Sequence, residues 1–510
     1  MPSARSKTFR AAARARPAND VLAQHPAVPP PDKAAAKSSK WSLLLDRLMG
    51  KGWAPRAERI DVRVATLAED VEGIHTRHVI EAMHRQGGFT ARRFDETIEL
   101  GLIGDPGEQL LKAASSGRER VLRAHADLLV WGEAPQPGAT LTLRFVSALA
   151  EDEDRPGYFG PGACLKLPAS FGPEISQILL AAGLAATTPQ SEGKRLRLVE
   201  ALPKALNAAL PVYNALPLDI TEGERTSIQI CMGNAASTVA ALHGSLDLYQ
   251  VAAQAYQSAL ENISKDDHPI EWATAQRNLG VALQALAEPS DDADSLGAAA
   301  DAYHAALGVI TKALFPREWA ALQNRLGLML YKLDRKTGDT ELVKHALSAF
   351  QASLQVFTRA AEPLRWADIM NNFAQAAQML GGELRNVEVL KTSAAACRSV
   401  LEVRTRDSAP LMWAATQNNL GTALFLIAKE DRNDTVHLQG SVEAFALAGD
   451  VYTEHGATKL AALAQRNQSR AESLLEGRGG GEGRPKMSWE DDGKEAPPAA
   501  QNTPEDSEGS

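Results

Sequence analysis

The sequence is poor in cysteine and in aromatic residues. Only three of its 510 residues are cysteines, and they stand far apart at Cys164, Cys231 and Cys397. Such a set excludes a disulfide framework and a cysteine-based metal cluster, and it favours a reducing, cytoplasmic compartment. Aromatic residues make up 5% of the chain and alanine is abundant, which favours closely packed helices over sheets.

Further absences bear on function. No run approaches the roughly 18 apolar residues that a membrane-spanning helix needs. No glycine-rich phosphate loop, zinc motif or nucleophile elbow occurs, and the GRGGGEG stretch lacks the GK[ST] ending of a phosphate loop. The net charge of −9 is unfavourable for nucleic acid as the main partner. The sequence therefore predicts a protein without catalytic activity, metal or cofactor.

Both ends of the chain have the composition of unstructured segments. Residues 1–57 combine an excess of basic residues with the proline-rich stretch PAVPPPDKAAAKSSK, which predicts a disordered head and linker. For its short apolar piece WSLLLDRLM, docking on the body of the protein or simple disorder is favoured, and docking on a membrane surface is the alternative. Residues 477–510 are rich in glycine, proline and acidic residues and are predicted to form a disordered tail.

One phrase recurs at a fixed interval in the second half of the chain. The stretches WATAQRNLGVAL, WAALQNRLGLML, WADIMNNFAQAA and WAATQNNLGTAL begin at Trp272, Trp319, Trp366 and Trp413, 47 residues apart. A glycine follows each tryptophan by eight residues, except where Ala374 takes its place. A period of this size predicts a solenoid, with five repeats and a closing helix over 225–476.

Each repeat contains two helical patterns separated by a turn-rich segment. In the second pattern Ala299, Tyr303 and Ala306 recur one period later as Ala346, Phe350 and Ser353. Small residues allow the two helices to approach closely, and the aromatic ring fills the gap to the next repeat. Cys397 stands in the aromatic position and is therefore expected to be a buried packing residue. The four tryptophans are expected to pack between repeats.

These residues resemble the tetratricopeptide repeat, and more closely the long tetratricopeptide arrays of bacterial and fungal multidomain proteins. The small–aromatic–small pattern and the LG pair carry the resemblance. The repeat is longer than usual for that family, and its leading aromatic is replaced by Gln276, Gln323, Met370 and Gln417. The resemblance implies a mainly α fold, an α-solenoid of helical hairpins that binds proteins or peptides on its inner surface.

Polar residues recur at two adjacent positions of the first helix, which the resemblance places on that inner surface. They are Arg277, Asn278, Asn324, Arg325, Asn371, Asn372, Asn418 and Asn419, with Asn467 continuing the series after a one-residue shift. Some tetratricopeptide proteins hold a peptide backbone with such an asparagine ladder, which would here favour an acidic segment or a terminal carboxylate. The alternative is that these amides satisfy polar groups where helices meet.

The region 58–150 has a different pattern, with alternating strands and helices in the order β-α-β-α-β-β, which predicts a small α/β domain. Its second helix is expected near Arg118 to His125. The stretches ADLLVWGE, LTLRFV and FGPEISQILLAAGLAA resemble the amino-terminal domain of TolB-type proteins. Residues 151–224 are predicted to be a linker and helices leading into the array. Within these regions we expect solvated side chains at the histidines His75, His78 and His84 and in the DEDR run at 152–155.

The sequence thus predicts a scaffold or adaptor that binds a protein or extended peptide on a helical superhelix. The alternative is a sensory or regulatory protein whose α/β domain binds a small ligand or nucleotide and signals through the array. An enzyme with an unrecognised site among Asp70, His75 and His78 is the least favoured class. The oligomeric state and the identity of the partner do not follow from the sequence.

Overall fold

The computed structural model describes residues 59–84, 89–101, 103–134, 140–149, 153–160, 162–290 and 292–478. The predicted basic head lies outside the described residues, and so does the predicted tail apart from Gly477 and Arg478. A small α/β region comes first and a helical solenoid follows, which confirms the predicted fold class. In the described part of the chain no helix has both the length and the apolar character needed to cross a bilayer.

The α/β region is built on a five-stranded sheet with the strand order β2-β1-β3-β4-β5. Strands β1, β2 and β3 are parallel, and β3, β4 and β5 pair antiparallel. The bounds are β1 Ile60–Thr66, α1 Ile74–His84, β2 Phe89–Thr97, α2 Pro106–Arg123, β3 Leu128–Glu133, β4 Thr140–Ser147, β5 Cys164–Pro168, α3 Ile175–Ala185 and α4 Glu192–Asn214.

The central strand β3 is buried on both faces, which explains its continuous apolar run LLVWGE. Leu128 and Val130 point into the cluster shared with α1 and α3, whereas Leu129 and Trp131 point into a cluster with α2. Successive side chains of a strand face opposite sides of a sheet, so one strand serves both layers. The sheet is therefore covered by helices on its two faces.

Three features of this region differ from the sequence-based expectation. Helix α2 begins at Pro106, where Asp105 accepts a hydrogen bond from the Glu108 amide at 3.1 Å, and not near Arg118. Strand β5 was not predicted, because CLKLP is short and flanked by glycine and proline. It lies beyond the predicted domain boundary at residue 150, so the α/β region continues at least to Pro168.

Five helical hairpins, numbered 1 to 5 along the chain, form the solenoid. The first helices are α5 Glu222–His243, α7 Pro269–Ser290, α9 Pro316–Thr337, α11 Pro363–Leu384 and α13 Pro410–Glu430; the second helices are α6 Leu246–Asn262, α8 Ala293–Leu307, α10 Thr340–Leu354, α12 Val387–Leu401 and α14 Thr435–Glu454; α15 Thr458–Glu476 closes the array. Second helices begin at a side-chain cap from Ser245, Asp292, Asp339, Asn386 or Asp434. These caps satisfy amides that a helix start leaves unpaired.

The recurring glycine of the first helix is explained by the recurring aromatic of the second. A Cβ atom at the glycine would lie 2.6–2.9 Å from the facing ring in the pairs Gly233–Tyr256, Gly280–Tyr303, Gly327–Phe350 and Gly421–Phe445. Hairpin 4 has Ala374 and Cys397 at these positions, where the small thiol replaces the ring. Both residues are fully buried in one cluster, which confirms that Cys397 is a packing residue.

The repeat tryptophans pack at the start of the first helix in hairpins 2 to 5, and part of their surface is exposed. Trp366 is buried, and Trp272, Trp319 and Trp413 are half-buried. In hairpins 2 to 4 a cation from the preceding turn lies over the ring: Lys265, Lys312 and Arg359 stand 5.4, 5.8 and 5.6 Å from the ring centroids. The tryptophans therefore combine contacts within the array with cation–π contacts at its surface.

Candidate functional site: the inner surface of the solenoid

The first helices form the inner surface of the array. Helices α5 and α7, α9 and α11, and α11 and α13 contact each other in addition to their own hairpin partners. The two polar positions predicted from the repeat lie on these helices. We use the name inner surface for the side formed by α5, α7, α9, α11 and α13.

A segment from the α/β region lies on this surface. Residues 153–160, here called the inserted loop, belong to the connection between β4 and β5 and contact four successive first helices. Side chains of the array donate hydrogen bonds to its main-chain carbonyls: Arg277 to Glu153, Arg325 to Asp154 at 2.5 Å, Thr238 to Pro156 at 3.3 Å and Asn278 to Tyr158 at 3.1 Å. The inner surface thus binds an extended polypeptide through its backbone.

Two carboxylates of the inserted loop face four arginines, here called the arginine cluster: Arg277, Arg317, Arg325 and Arg365. Glu153 accepts hydrogen bonds from Arg317 Nε at 2.5 Å and from Arg365 Nη1 at 2.9 Å. Asp154 accepts from Arg365 Nη2 at 2.6 Å and lies 3.3 Å from Arg325 Nε. The DEDR run is therefore not simply solvated, as the sequence suggested, because the Glu153 side chain is only 8% exposed.

The charge state of this site follows from its contacts. Burial raises the pKa of Glu153, but the hydrogen bonds from Arg317 and Arg365 outweigh it, so that the pKa lies below its ordinary value. The carboxylates of Glu153 and Glu362 raise the pKa of Arg317. Burial lowers the pKa of Arg277, and the neighbouring Arg325 lowers it further. The inner surface at this point is a cationic site that is partly neutralised by the chain's own acidic residues.

The inserted loop is held more firmly at its second half. The Arg155 guanidinium donates to the Ala185 carbonyl at 2.7 Å, at the end of α3. Gly157 adopts a positive φ of 73°, and a Cβ atom there would lie 2.1 Å from the Asn234 carbonyl oxygen. Tyr158 donates to Glu318 at 2.9 Å. Phe159 packs edge-on against Phe145 with the ring centroids 5.8 Å apart.

Three of the predicted binding residues, Arg277, Asn278 and Arg325, contact the inserted loop. Asn324 and Asn372 are half-buried, and the Asn372 amide donates to the Asn324 side-chain oxygen at 3.4 Å. Asn278 Nδ2 also donates to Asn234 Oδ1 at 2.8 Å, which joins α7 to α5. Arg277, Asn278 and Arg325 therefore bind the occupant of the inner surface, and Asn324 and Asn372 bond to each other.

The remaining predicted residues lie in hairpins 4 and 5 and in the closing helix α15. Asn371, Asn418, Asn419 and Asn467 are all buried there. The Asn419 amide donates to Asn371 Oδ1 at 3.1 Å, and Thr416 donates to the same oxygen at 3.5 Å. These contacts join α11 to α13. In this half the recurring amides lie between helices.

The sequence did not identify Arg317, Arg365, Glu153 and Asp154 as residues of the site. Arg317 and Arg365 occupy the first turns of α9 and α11, but they are 48 residues apart and thus out of register with the 47-residue period. Their only shared signal is a position one or two residues before a repeat tryptophan. The contact with residues 153 and 154 spans more than the length of the α/β region, and no local pattern predicts it.

The other candidate groups have structural contacts. Asp70 accepts hydrogen bonds from the Thr76 amide at 2.8 Å and the Thr76 hydroxyl at 2.7 Å, which fixes the start of α1. His78 Nε2 lies 2.8 Å from the Phe171 carbonyl oxygen and is half-buried, so it is more than a solvated residue. Within the described ranges no group of histidine, cysteine and acidic side chains is arranged to hold a metal ion.

Comparison with known proteins adds little to this description. No known protein family and no curated protein is matched by the sequence. Among solved structures, the chain is similar to a circular tandem repeat protein with novel repeat topology and enhanced subunit contact surfaces, with 14% identity and a TM-score of 0.23. The match covers 60% of this chain and 85% of that one. We take nothing about function from this similarity.

Proposed function

We propose that the protein is a non-catalytic scaffold or adaptor that binds an extended, acidic segment of a partner protein on the inner surface of its solenoid. The observation that carries the proposal is the inserted loop. Four main-chain carbonyls and two carboxylates of this segment are bound by side chains of the first helices, as a ligand peptide would be. This binding mode also agrees with the resemblance to tetratricopeptide arrays.

The chemistry of the site defines the kind of partner. Guanidinium groups pair with carboxylates through parallel hydrogen bonds, and such charge-assisted bonds are stronger than neutral ones. The four arginines of the cluster lie on three successive first helices, so adjacent carboxylates on one extended strand reach several of them. Asn324 and Asn372 lie next to the cluster with part of their surface accessible, and they offer amide donors and acceptors for the continuing backbone.

Selection from a library of short random peptides tests this proposal. The bait is the full chain with Glu153→Gln and Asp154→Asn, which removes the resident carboxylates. We expect the selected peptides to be enriched in adjacent acidic residues. Enrichment should disappear when Arg317→Gln and Arg365→Gln are added to the bait. It should persist with Arg335→Gln and Arg432→Gln, which remove two exposed arginines elsewhere on the array.

The control separates specific recognition from general attraction of acidic peptides to a basic surface. Circular dichroism confirms beforehand that all baits have the same helical content. Selected peptides without acidic residues, or equal enrichment on the arginine-cluster variant and the control variant, would contradict the proposal.

A further inference from the structure

The first half of the inserted loop is attached differently from the second. Arg155 and Phe159 contact the α/β region, and Pro156, Gly157 and Tyr158 contact α5, α7 and α9 of the array, whereas the side chains of Glu153 and Asp154 bond to the arginine cluster. Two of their ion pairs are partly open to water, since the Arg317 side chain is 47% exposed and that of Asp154 is 34% exposed, whereas the Glu153–Arg365 pair is largely buried. Exposed ion pairs contribute little and are screened by salt.

The arginine cluster has more cationic groups than the loop can neutralise. Four guanidinium groups face two loop carboxylates, and Glu362 adds a third carboxylate at 2.5 Å from Arg317. A site of this composition binds an acidic segment more strongly as the segment carries more adjacent carboxylates. A segment that carries more adjacent carboxylates than Glu153 and Asp154 supply therefore competes with them for this site.

We propose that Glu153 and Asp154 occupy in cis the position at which the acidic partner segment binds, so that the α/β region closes the inner surface until a segment with adjacent carboxylates displaces them. This inference rests on the proposed function and adds its regulation. The anchor from Arg155 to Phe159 stays in place during the exchange. The cis segment is present at a high effective concentration because it is tethered beside the site, so weak contacts suffice to exclude a weak competitor.

A peptide copied from the chain itself serves as the probe for this exchange. The probe is a fluorescently labelled peptide with the sequence of residues 151–162, EDEDRPGYFGPG, and its matched control is QNQNRPGYFGPG. Fluorescence anisotropy measures binding to the full-length wild type, to the chain with Glu153→Gln and Asp154→Asn, and to the latter with Arg317→Gln and Arg365→Gln. A second opened variant, Glu153→Gly with Asp154→Ser, serves if the first is poorly folded.

The chain with Glu153→Gln and Asp154→Asn is the first opened variant. We expect it to bind the acidic probe at least about tenfold more tightly than the wild type does. The control peptide should bind neither the wild type nor the opened variant. Adding Arg317→Gln and Arg365→Gln should abolish binding of the acidic probe to the opened variant. Affinity should fall as the salt concentration rises. Equal binding of the acidic probe by the wild type and the opened variants would overturn the closure and leave the proposed function standing. Absence of binding to either opened variant would overturn both.

Hydrogen exchange on the wild type tests the closure without any substitution. At saturating concentrations of the acidic probe, the amides of Glu153 and Asp154 should exchange faster than in the free protein, because the probe has displaced them. The amides of Tyr158 and Phe159 should keep their protection, because the anchor does not move. Unchanged exchange at residues 153 and 154 in the saturated protein would show that the probe binds elsewhere and would overturn the inference.

Discussion

At the two recurring polar positions of the first helix, side chains of hairpins 2 and 3 bond to a segment from outside the array, whereas side chains of hairpins 4 and 5 bond to one another. Arg277, Asn278 and Arg325 bind carbonyls of the inserted loop. Asn371 and Asn419, at the same repeat positions, form a bond between neighbouring helices. Equal position in a repeat therefore does not imply equal function. The neighbour that reaches the position decides its role.

The anchor of the inserted loop should be as important for stability as an aromatic residue within the array. Phe159 is buried in the core that joins the sheet to hairpin 1. We expect Phe159→Ala to lower the free energy of unfolding by about 3–5 kcal/mol, as large truncations in a core do. Urea denaturation of the full chain measures it, with Phe445→Ala in hairpin 5 as the matched truncation.

Hydrogen exchange distinguishes these two truncations. Phe159→Ala should also expose the amides of the inserted loop, and Phe445→Ala should leave them protected. A loss below about 0.5 kcal/mol for Phe159→Ala, as at ordinary surface sites, would mean that the loop lies on the inner surface without being anchored there.

The next largest difference should be between the stability contributed by the ion pairs of the arginine cluster and that contributed by an exposed ion pair near the end of the array. Arg365 bonds to both loop carboxylates, and its removal leaves the buried Glu153 with Arg317 as its remaining arginine partner in the described contacts. We expect Arg365→Gln to cost about 1–3 kcal/mol, the range for hydrogen bonds to charged groups. The matched change in the other half is Arg406→Gln, which breaks an exposed pair with Glu454 and should cost less than about 1 kcal/mol. If Arg365→Gln and Arg406→Gln lowered the free energy of unfolding equally, in thermal or urea unfolding, the distinction between these two sets of ion pairs would be lost.

The repeat itself was predictable because its causes are local. A glycine under each aromatic ring, a capping residue before each second helix and small residues between the two helices all follow from contacts within one hairpin. Even the exception was visible, since Ala374 and Cys397 depart from the pattern together. The strands β3 and β4 were predictable for a similar reason, because their apolar runs are bounded by turn residues.

The occupant of the inner surface was not predictable, because its contacts are not local. Glu153 meets Arg317 and Arg365 across more than 160 residues of chain, and an acidic run such as DEDR is found on most protein surfaces. The sequence did indicate that the inner surface favours acidic segments. It did not indicate that this chain supplies one.

Double-mutant cycles sharpen the comparison between the amides. In hairpin 2, Asn278→Ala should be non-additive with Phe159→Ala, because Asn278 Nδ2 donates to the main-chain carbonyl of Tyr158, the residue before Phe159. In hairpin 5, Asn419→Ala should be additive with Phe159→Ala within about 0.5 kcal/mol, because its described bond is to Asn371. Unfolding free energies of the single and combined variants give both coupling values. Coupling of Asn419 to the loop would show that the two halves act as one site.

Acidification should weaken the docking of the inserted loop, and this is the smallest effect we expect. The pKa of Glu153 is lower in the folded protein than its ordinary value of 4.5, so its contribution is complete above that value and is lost as the pH falls through the lowered pKa. Arg317 stays charged because its pKa is raised by its carboxylate partners, and Glu362, which also bonds to Arg317, is common to the two proteins compared. Urea midpoints should therefore fall more for the wild type than for Glu153→Gln between neutral pH and a pH below 4.5. Equal falls in both proteins would mean that the Glu153 carboxylate gains nothing from the arginine cluster, and the electrostatic difference between the halves of the inner surface would have to come from Asp154 alone.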